Sequence, residues 1–396
     1  MEGLKKIVEN YYEDAVKIRR YLHENPELSN QELNTTQLIK KELEKYGIEI
    51  EKLDIKTGIS GILKGKHPGK TIAIREDIDA LPMNEINDLP FASKVEGVAH
   101  SCGHDIHTSV LLLCARVLSH YKDLLKGNVR FIFQPAEEIM DGALSMINAG
   151  LMKLEPKTDI VIGVHTSPDV EAGKIGIIGG PANASSDMFK IKVVGVGGHG
   201  AHPYRCVDPI VMSAYLVTQL QTIISRENQS VYPAVLTVGM IHGGTAPNII
   251  PQEVTLEGTI RSFSEKERRK ILKSVPRISK GCCEGMRGKA EVEIIEGIPP
   301  LINDMKVVSD IKNAASKIIG EENIVEFEVP SPGSDDFSLF LEYCPGVQFR
   351  IGTSNDDPAS KYGLHNPHSI FDEKSIEIGA LVMVQYILDK LNQESE

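Results

Sequence analysis

The chain lacks several features that mark whole classes of protein. In this chain of 396 residues, no apolar run approaches the ~18 consecutive residues that a membrane-spanning helix needs. Positive charge is in deficit, since 43 Lys and Arg face 55 Asp and Glu, and the formal net charge is -12. No basic stripe is present, which argues against binding to nucleic acid. These absences leave small molecules or peptides as the expected partners.

Cysteine is scarce, and a secretory start is missing. The first residues, MEGLKKIVENYYED, are charged and contain no apolar signal-peptide core. The six cysteines of such a chain are expected to be reduced thiols. Cys282 and Cys283 are adjacent, which disfavours a disulfide between them on geometric grounds. We therefore expect a cytoplasmic protein.

Strand-like and helical patterns alternate through much of the chain. Apolar residues at helical spacing predict helices over about 4–24 and 31–46, with Ser29 as the N-cap of the second helix. The strand-like runs TIAIRED, VRFIFQPAEE and DIVIGVHT then alternate with helical segments. This alternation predicts a mostly parallel sheet with helices on both faces.

The pattern changes near Ala184. From there to about Gly297 the order is strand, helix, strand, strand, helix, strand, which is the split βαβ or ferredoxin-like arrangement. The α/β pattern then resumes after Pro299. A chain of 396 residues also favours two domains over one. We predict an α/β catalytic domain formed by residues 1–183 and 298–396, with an α+β domain inserted at 184–297.

Five candidate metal ligands lie at or near the ends of apolar strand-like runs. They are Cys102 and His104 in HSCGHDIHT, Glu138 in QPAEE, His165 in VIGVHTSP and His365 in GLHNPH. Open α/β sheets gather ligands at the carboxyl ends of their strands. A thiolate, imidazoles and a carboxylate suit zinc or a similar transition ion. The pattern therefore predicts a metal-dependent hydrolase.

Two other interpretations of these motifs explain less. A Cys–His nucleophile is the rival interpretation of HSCGHDIHT, but it leaves the acidic pair of QPAEE without a role. GGHGAHP resembles a phosphate-binding loop only superficially, because it lacks the GK[ST] ending and opens no dinucleotide fold. Metal-dependent hydrolysis accounts for more of the sequence.

Taken in order, the motifs resemble the M20 family of metallopeptidases and amidohydrolases, in particular its N-acyl-amino-acid amidohydrolases, hippurate hydrolases and auxin-conjugate hydrolases. The resemblance covers essentially the whole chain. It rests on RRYLHENPELSNQE, REDIDALP, AHSCGHDIHT, QPAEE, GVHTSP, GGHGAHP, GGTAPNIIP, GSDDFS and LHNPHSIFDE. It implies a zinc-exopeptidase-like three-layer α/β/α catalytic domain and an inserted ferredoxin-like lid. That lid commonly forms the dimer contact, so a homodimer is expected.

The resemblance also implies roles for individual residues. Glu137 would take a proton from a metal-bound water and later deliver it to the leaving amine. His199 in GGHGAHP would stabilise the oxyanion. Two divalent ions, zinc before manganese, cobalt or nickel, are expected in each subunit. Their ligands would be Cys102, His104, Glu138, His165 and His365.

Other residues are expected to support the ligands or to bind substrate. Asn248 and Arg261 match lid positions that hold a substrate carboxylate or backbone, and Arg261 suits bidentate binding of a carboxylate. A surface salt bridge is the alternative role for Arg261. Four residues would orient the ligands from behind: Asp77, Asp79, Asp105 and His107.

The chain departs from the subgroup at a few positions. Tryptophan is absent, although the subgroup usually carries one near GVHTSP. Glu76 replaces the usual alanine and is expected to place an extra acid by the site. Many M20 members have a ligand histidine at the position of Asp77, but this subgroup does not. These departures concern the pocket around the substrate and leave the proposed ligands intact.

The predicted reaction is hydrolysis of the amide bond of N-acyl amino acids, such as N-acetyl amino acids, to a carboxylate and a free amino acid. A dipeptidase or carboxypeptidase of the same fold is the first alternative. A catalytically silent protein that binds an amino acid is a second alternative. The presence of every ligand and of Glu137 speaks against the silent protein.

Overall fold

The computed structural model describes residues 2–392, and within them the chain forms eight α-helices and 16 β-strands. The helices are α1 (Glu2–Glu24), α2 (Leu33–Lys45), α3 (His104–Ser119), α4 (Gly142–Asn148), α5 (Pro209–Thr222), α6 (Glu265–Gly285), α7 (Met305–Ile319) and α8 (Lys374–Asn392). Shorter 3-10 helices are Lys122–Leu124, Leu151–Lys153, Pro203–Arg205, Glu321–Asn323, Asp336–Glu342 and Pro358–Lys361, and a π-helix covers Ile223–Glu227.

The longest strands belong to an eight-stranded and a four-stranded sheet. They are β1 (Glu49–Glu51), β2 (Ile59–Lys64), β3 (His67–Asp77), β4 (Lys126–Gln134), β5 (Ile160–Glu171), β6 (Ile175–Ile177), β7 (Gly180–Asn183), β8 (Ser186–Val194), β9 (Gly198–His199), β10 (Ala234–Gly243), β11 (Ile249–Ile250), β12 (Glu253–Ser262), β13 (Lys289–Ile298), β14 (Leu301–Asn303), β15 (Ile324–Glu326) and β16 (Gly346–Ser354). No helix within residues 2–392 is both long and apolar enough to cross a membrane.

The chain divides into two compact units. The main unit contains the residues up to Gly180, Ile302–Val329 and the chain from Asp336 onward. The inserted unit contains Pro181–Leu301 and Pro330–Asp335. The second part of the inserted unit was not predicted, and it joins the unit through backbone hydrogen bonds, such as that from the Ala184 N–H to the Ser331 carbonyl at 3.2 Å. The roles of catalytic domain and lid stay predictions.

The sheet of the main unit has eight strands in the order β1-β2-β4-β3-β5-β16-β6-β15. Its centre is parallel, because β3 pairs in parallel with both β4 and β5, and β5 with β16. Toward the edges, β1–β2, β2–β4 and β16–β6 pair antiparallel. The sheet is therefore mixed, and the predicted parallel character holds for its centre.

The two faces of the main sheet are covered by different elements. Side chains alternate along β3, so Ile74 and Arg75 point to opposite faces. Ile74 belongs to the same apolar core as α1, α3, α7 and α8. Arg75 instead bonds to Asp336, the first residue of the 3-10 helix that packs with α4. This layering confirms the predicted α/β fold class.

The inserted unit has a four-stranded antiparallel sheet in the order β10-β12-β8-β13. Helices α5 and α6 pack on it, and its buried residues form a core of their own, separate from that of the main unit. In chain order the elements are β8, α5, β10, β12, α6 and β13. This is the predicted βαββαβ arrangement.

Candidate metal centre

The turn that carries Cys102 and His104 depends on Gly103. Gly103 has a φ of +85°, and a Cβ at this position would lie 2.7 Å from the Cγ2 atom of Thr166. Glycine adopts this backbone conformation without steric cost. The turn leads directly into α3, which begins at His104. Both candidate ligands are therefore buried at the amino end of that helix.

The QPAEE loop follows β4 and contains two residues in the left-handed region. Ala136 has a φ of +52° and Met140 a φ of +57°, conformations that non-glycine residues rarely adopt. Between them lie Glu137, which is 4% exposed, and Glu138, which is half-buried. The predicted strand through this segment ends at Gln134, so the acidic pair sits on a tight loop rather than on the strand itself.

His165 lies on β5 and faces Cys102. Its Nδ1 is 2.9 Å from the carbonyl oxygen of Thr166, which can only accept, so Nδ1 carries the proton. Its Nε2 lies 3.7 Å from the Sγ atom of Cys102. Burial lowers the pKa of His165 well below its usual value, and Arg350 adds to the shift. A neutral imidazole with a lone pair on Nε2 is the form that binds a metal.

His365 reaches the cluster from a polar loop after β16. Its φ is +62°, and its N–H donates to the Ser101 carbonyl at 2.9 Å. Its Nε2 lies 3.3 Å from Oε2 of Glu138. The side chain is 53% exposed, in contrast to the buried Cys102 and His104. It therefore lies on the solvent side of the cluster.

The structure brings all five predicted ligands together in two overlapping groups. Within each group the donor atoms lie within 4.8 Å of one another. One group contains Cys102, His104 and His165, and the other contains Cys102, Glu138 and His365. Cys102 belongs to both groups. A third group joins Glu137 to His104 and Glu138.

Two buried atoms of this cluster that could bind a metal have no hydrogen-bond partner among the described residues. They are Nε2 of His104 and Oε1 of Glu138, which lie 3.8 Å apart. His104 uses its Nδ1–H to donate to the Asp79 carbonyl at 2.9 Å, so Nε2 is the nitrogen that faces the cluster. A buried polar atom without a partner is costly and calls for an explanation. A bound cation would satisfy both atoms.

The electrostatics of the cluster favour positive charge. Burial raises the pKa of the Cys102 thiol well above its usual value, and the Glu138 carboxylate raises it further. A thiolate here therefore needs a neighbouring cation. Burial opposes protonation of His104, but Asp77 and Cys102 outweigh it and raise the pKa of His104. A metal ion would supply the charge that the proton otherwise brings, so these residues fit a metal centre.

Asp79 orients both a ligand imidazole and the acidic loop. Its Oδ1 lies 3.2 Å from Nδ1 of His104, and its Oδ2 accepts the Glu138 N–H at 3.1 Å. The same Oδ2 accepts the Ser29 hydroxyl at 2.7 Å. One buried carboxylate thus fixes the ring of His104 and the backbone at Glu138, the role expected of a residue behind a ligand.

Asp77, His107 and Asp105 lie behind the cluster. Burial would raise the pKa of Asp77, but His104, His107 and Arg75 together hold it well below its usual value. Asp105 lies 2.7 Å from Nε of Arg19 and 2.8 Å from Nδ1 of His23, both on α1. Burial also opposes ionisation of Asp105, and these cations more than reverse it, which lowers the pKa. Asp105 thereby ties the start of α3 to α1.

The inserted unit places His199 beside Asn248. His199 pairs with Ile249 across β9 and β11, and the Gly200 N–H donates to the Asn248 carbonyl at 2.8 Å. Nδ1 of His199 accepts the Ala201 N–H at 3.1 Å, so the ring carries its proton on Nε2 when neutral. The exposed His199 ring therefore offers an N–H donor.

Arg261 lies on β12 of the inserted unit. Its guanidinium contacts the Ser334 hydroxyl, and it forms no ion pair with any residue of the described chain. Burial lowers the pKa of Arg261. Asp187 acts against this shift, and both roles considered for Arg261 stay predictions.

Two residues that support the site were not predicted from the sequence. Ser29 was expected to cap α2, but α2 begins at Leu33 and the Ser29 hydroxyl bonds to Asp79. Glu32 bonds to the QPAEE loop through the Ala136 N–H at 2.8 Å. Both belong to the motif RRYLHENPELSNQE, none of whose residues was predicted to act at the metal site. The match of this motif to the family was the signal that could have pointed to Ser29 and Glu32.

Glu76 does not stand in the cluster of candidate ligands. Its side chain is buried, and its Oε1 accepts the Val164 N–H at 2.8 Å. It also raises the pKa of the Cys114 thiol on α3, after burial itself. Because neighbours along β3 alternate between faces, Glu76 points away from Asp77. The expected extra acid is a core residue of the sheet.

An α/β fold that brings thiol, imidazole and carboxylate donors within 4.8 Å of one another is typical of a hydrolase of the metallopeptidase class. Comparison with known proteins narrows this class. The model of peptidase family M20/M25/M40 matches residues 73–389. The chain belongs to this family, which confirms the resemblance seen in the motifs.

Relatives within the family carry different names. The chain is 40% identical over 385 residues to a thermostable carboxypeptidase 2 from Saccharolobus solfataricus, which covers 96% of each chain. It is 42% identical over 304 residues to an N-acyl-L-amino acid amidohydrolase from Geobacillus stearothermophilus, which covers 76% of this chain and 81% of the relative.

A solved structure of similar fold comes from Bacillus subtilis. It is described as a dinuclear metal binding peptidase from the M20 family. The two structures superpose with a TM-score of 0.85 at 34% sequence identity, over 98% of this chain and 99% of the other. This similarity covers both compact units.

Proposed function

We propose that the protein is a cytoplasmic, two-metal amidohydrolase that hydrolyses the amide bond of N-acyl amino acids and acts as a homodimer. The observation that carries the proposal is the position of the acidic pair. Glu137 Oε2 lies 3.9 Å from Nε2 of His104, and Glu138 Oε1 lies 3.8 Å from the same atom. One carboxylate can therefore bind a cation while its neighbour acts as a base.

Five residues would hold the two divalent ions. When bound, such ions polarise the substrate carbonyl and lower the pKa of water from ~15.7 to about 7. We propose zinc, because thiolate and imidazole donors suit it, with manganese, cobalt or nickel as alternatives. The M20 relative described as a dinuclear metal binding peptidase supports two ions. The ligands are Cys102, His104, Glu138, His165 and His365.

Glu137 is assigned as the general base and acid. It takes a proton from the attacking water and then delivers the same proton to the departing amide nitrogen. Its burial keeps bulk water away from the carboxylate. Protonation of the nitrogen allows the tetrahedral intermediate to collapse to an acid and a free amino acid.

Residues of the inserted unit are assigned to charge stabilisation and substrate binding. His199 donates its exposed Nε2–H to the developing oxyanion, an interaction worth about 3 kcal/mol or more of barrier. Arg261 binds the free carboxylate of the substrate, because a guanidinium presents its donors in the geometry that pairs with a carboxylate. Asn248, on the segment paired with that of His199, contacts the substrate backbone.

The test compares Glu137→Gln with the wild type after removal of metal and reloading with a defined ion. Glu137→Gln should retain two ions per chain and lose nearly all turnover of N-acetyl amino acids. Metal content is measured by mass spectrometry of the purified protein, and turnover by release of free amine. A variant that retains near wild-type turnover would show that Glu137 is not the base.

A carboxypeptidase activity is the second candidate. The 40% identity to a carboxypeptidase over 96% of both chains favours it. The two activities share the metal centre and differ in whether the scissile amide joins an acyl group or a second amino acid to the released residue. Paired assays of N-acetyl-L-methionine and dipeptides ending in methionine separate them. Faster hydrolysis of the dipeptides would assign the peptidase.

We propose that the homodimer forms through β10 of the inserted unit. This strand is at the edge of its sheet and exposes Val235, Met240 and Ile241. An open apolar edge strand pairs readily with another copy. Ile241→Lys should convert a dimer to a monomer in sedimentation experiments. Ile295→Lys, on the opposite edge strand β13, is the control and should leave the mass unchanged.

The cytoplasmic assignment is supported by the cysteines. All six are free and buried in the described structure. Unpaired thiols are characteristic of a reducing compartment. Fractionation of cells that produce the protein tests the assignment.

A further inference from the structure

The loop between α1 and α2 contacts two chain segments at the candidate metal centre. One is the segment after β3, which carries Asp79, and the other is the QPAEE loop, which carries Glu137 and Glu138. We call residues 27–32 of this loop the clamp loop. It touches the segment after β3 through a backbone bond from the Ala80 N–H to the Glu27 carbonyl at 2.9 Å. It touches the QPAEE loop through Glu32. All of these residues lie in the main unit.

Glu32 makes the contact to the QPAEE loop. Its side chain is fully buried, and its Oε1 accepts the N–H of Ala136 at 2.8 Å. Ala136 is the residue with a φ of +52° that directly precedes Glu137. A non-glycine residue holds such a conformation only when its surroundings enforce it. The Glu32 carboxylate is one of the groups that enforce it.

Ser29 makes the contact to the other segment. Its hydroxyl donates to Oδ2 of Asp79 at 2.7 Å, the oxygen that also accepts the Glu138 N–H at 3.1 Å. The clamp loop therefore bonds to the residue before Glu137 and to the carboxylate that bonds to Glu138. Each member of the acidic pair has a connection to the same short loop.

We propose that the clamp loop positions the general base, with Glu32 and Ser29 as positioning residues that fix the backbone around Glu137 and Glu138. The inference rests on the proposed function, in which Glu137 transfers the proton. Neither positioning residue touches substrate. They act through the Ala136 amide and the Asp79 carboxylate, and so set where the base stands relative to the attacking water. A base misplaced by ~1 Å can cost about 100-fold in rate.

Glu27 provides a matched control within the same loop. Its carboxylate accepts the N–H groups of Asn34 at 3.1 Å and Thr35 at 2.8 Å, in the first turn of α2. It therefore stabilises α2, as a capping group does, and its side chain makes no bond to the QPAEE loop. Loss of Glu27 reports the effect of a loosened α2 without loss of the clamp contacts.

The experiment compares Glu32→Leu, Glu32→Gln and Glu27→Leu in the full-length, metal-loaded enzyme. The substrate is the N-acetyl amino acid that the wild type hydrolyses fastest. Glu32→Leu should lower kcat roughly 10- to 100-fold, as loss of a supporting partner does, with KM within about threefold of wild type. Glu32→Gln should restore most of kcat, because the amide oxygen still accepts the Ala136 N–H. Glu27→Leu should keep the wild-type kcat.

Backbone hydrogen exchange supplies a second measurement that does not depend on turnover. In Glu32→Leu the amides of residues 134–142 should exchange faster than in the wild type, because the Ala136 N–H has lost its acceptor. In Glu27→Leu the faster exchange should be confined to α2. Metal content should remain at the wild-type value in all three variants.

Wild-type kcat and unchanged exchange at 134–142 in Glu32→Leu would overturn the proposal. If Glu32→Leu does not fold, Ser29→Ala carries the test, since loss of one hydroxyl preserves the packing, and an unaltered kcat in that variant would also overturn it. Failure of the proposed function looks different. In that case Glu137→Gln itself would retain turnover, whatever the clamp variants do.

Discussion

His107 and Asp77 are joined by a buried hydrogen bond of 2.5 Å, in which the Nδ1–H of the imidazole donates to Oδ1 of the carboxylate. The other ring nitrogen, Nε2, accepts the N–H of Thr166 at 2.8 Å. Because a backbone N–H can only donate, this bond uses the lone pair of Nε2. Both ring nitrogens of His107 are therefore occupied, although it lies close to His104.

Substitution of His107 should leave both metal sites filled. We expect His107→Gln to retain two ions per chain, whereas His104→Gln should lose metal, since Nε2 of His104 is the unpartnered donor. His107→Gln should also be destabilised by about 1–3 kcal/mol, because it leaves buried groups without partners. Metal analysis and urea unfolding of both variants check this. A His107→Gln protein with one ion would identify His107 as a ligand.

The turn at Gly103 should tolerate no side chain. Gly103→Ala places a methyl group in the left-handed region, which costs roughly 1–2 kcal/mol, and 2.7 Å from Thr166. We expect the turn to shift and carry Cys102 and His104 with it, so that metal affinity falls. Metal titration followed by calorimetry measures the loss.

Gly97→Ala is the control for backbone strain at that turn. Gly97 also has a positive φ, +76°, but nothing lies within 4 Å of the added Cβ. The Gly97→Ala protein should lose a similar amount of its free energy of unfolding and keep the wild-type metal affinity. Equal metal affinity in Gly97→Ala and Gly103→Ala would show that the contact with Thr166 does not shape the site.

Arg75 should be one of the most sensitive residues of the main unit. Its guanidinium bonds to Asp77 at 3.0 Å and to Asp336 at 2.8 Å, and all three side chains are fully buried. Arg75→Met removes the guanidinium that two buried carboxylates share, which should lower the free energy of unfolding by about 3–5 kcal/mol. Urea unfolding monitored by circular dichroism measures the change.

An exposed ion pair of the same unit sets the scale for this loss. Lys64 and Glu49 lie 2.8 Å apart, with side chains 52% and 63% exposed. Lys64→Met should change the free energy of unfolding by no more than about 1 kcal/mol. If Arg75→Met is equally mild, the buried network contributes little to stability.

The parts of the site that could be predicted from sequence are those set by local pattern. Cys102 and His104 share a turn with glycine, and His165 follows the apolar run DIVIGV, so each had a strong local signal. In the structure β5 continues past His165 to Glu171, so the expectation that His165 ends its strand is wrong. Parallel strands bring such ends to one edge of a sheet. The fold class and the family followed from the same pattern and are confirmed. The assignment of individual ligands stays a prediction, although the structure brings these residues together.

The parts that could not be predicted depend on contacts between distant segments. Ser29 has a plausible local role as an N-cap, but in the structure its hydroxyl donates a hydrogen bond to the Asp79 carboxylate. The ring nitrogens of His107 could be assigned only once Thr166 was placed beside it. The antiparallel pairing of β1 and β2 also lies outside the strand and helix alternation. Local sequence propensity predicts none of these three contacts, because each depends on tertiary packing.

Metal removal should destabilise the main unit. Cys102 and His104 are buried beside each other in the folded chain, where a cation can bind both. Because a cation that binds only the folded chain favours folding by mass action, bound metal stabilises the protein. Zinc at 100 times its dissociation constant contributes about 2.7 kcal/mol per site. The thermal midpoint of the chelated protein should therefore rise as zinc is titrated back. His104→Gln should lose much of this increase, while the exposed His67→Gln should keep all of it. A midpoint that is independent of zinc in the wild type would mean that these donors do not hold a metal in the folded protein.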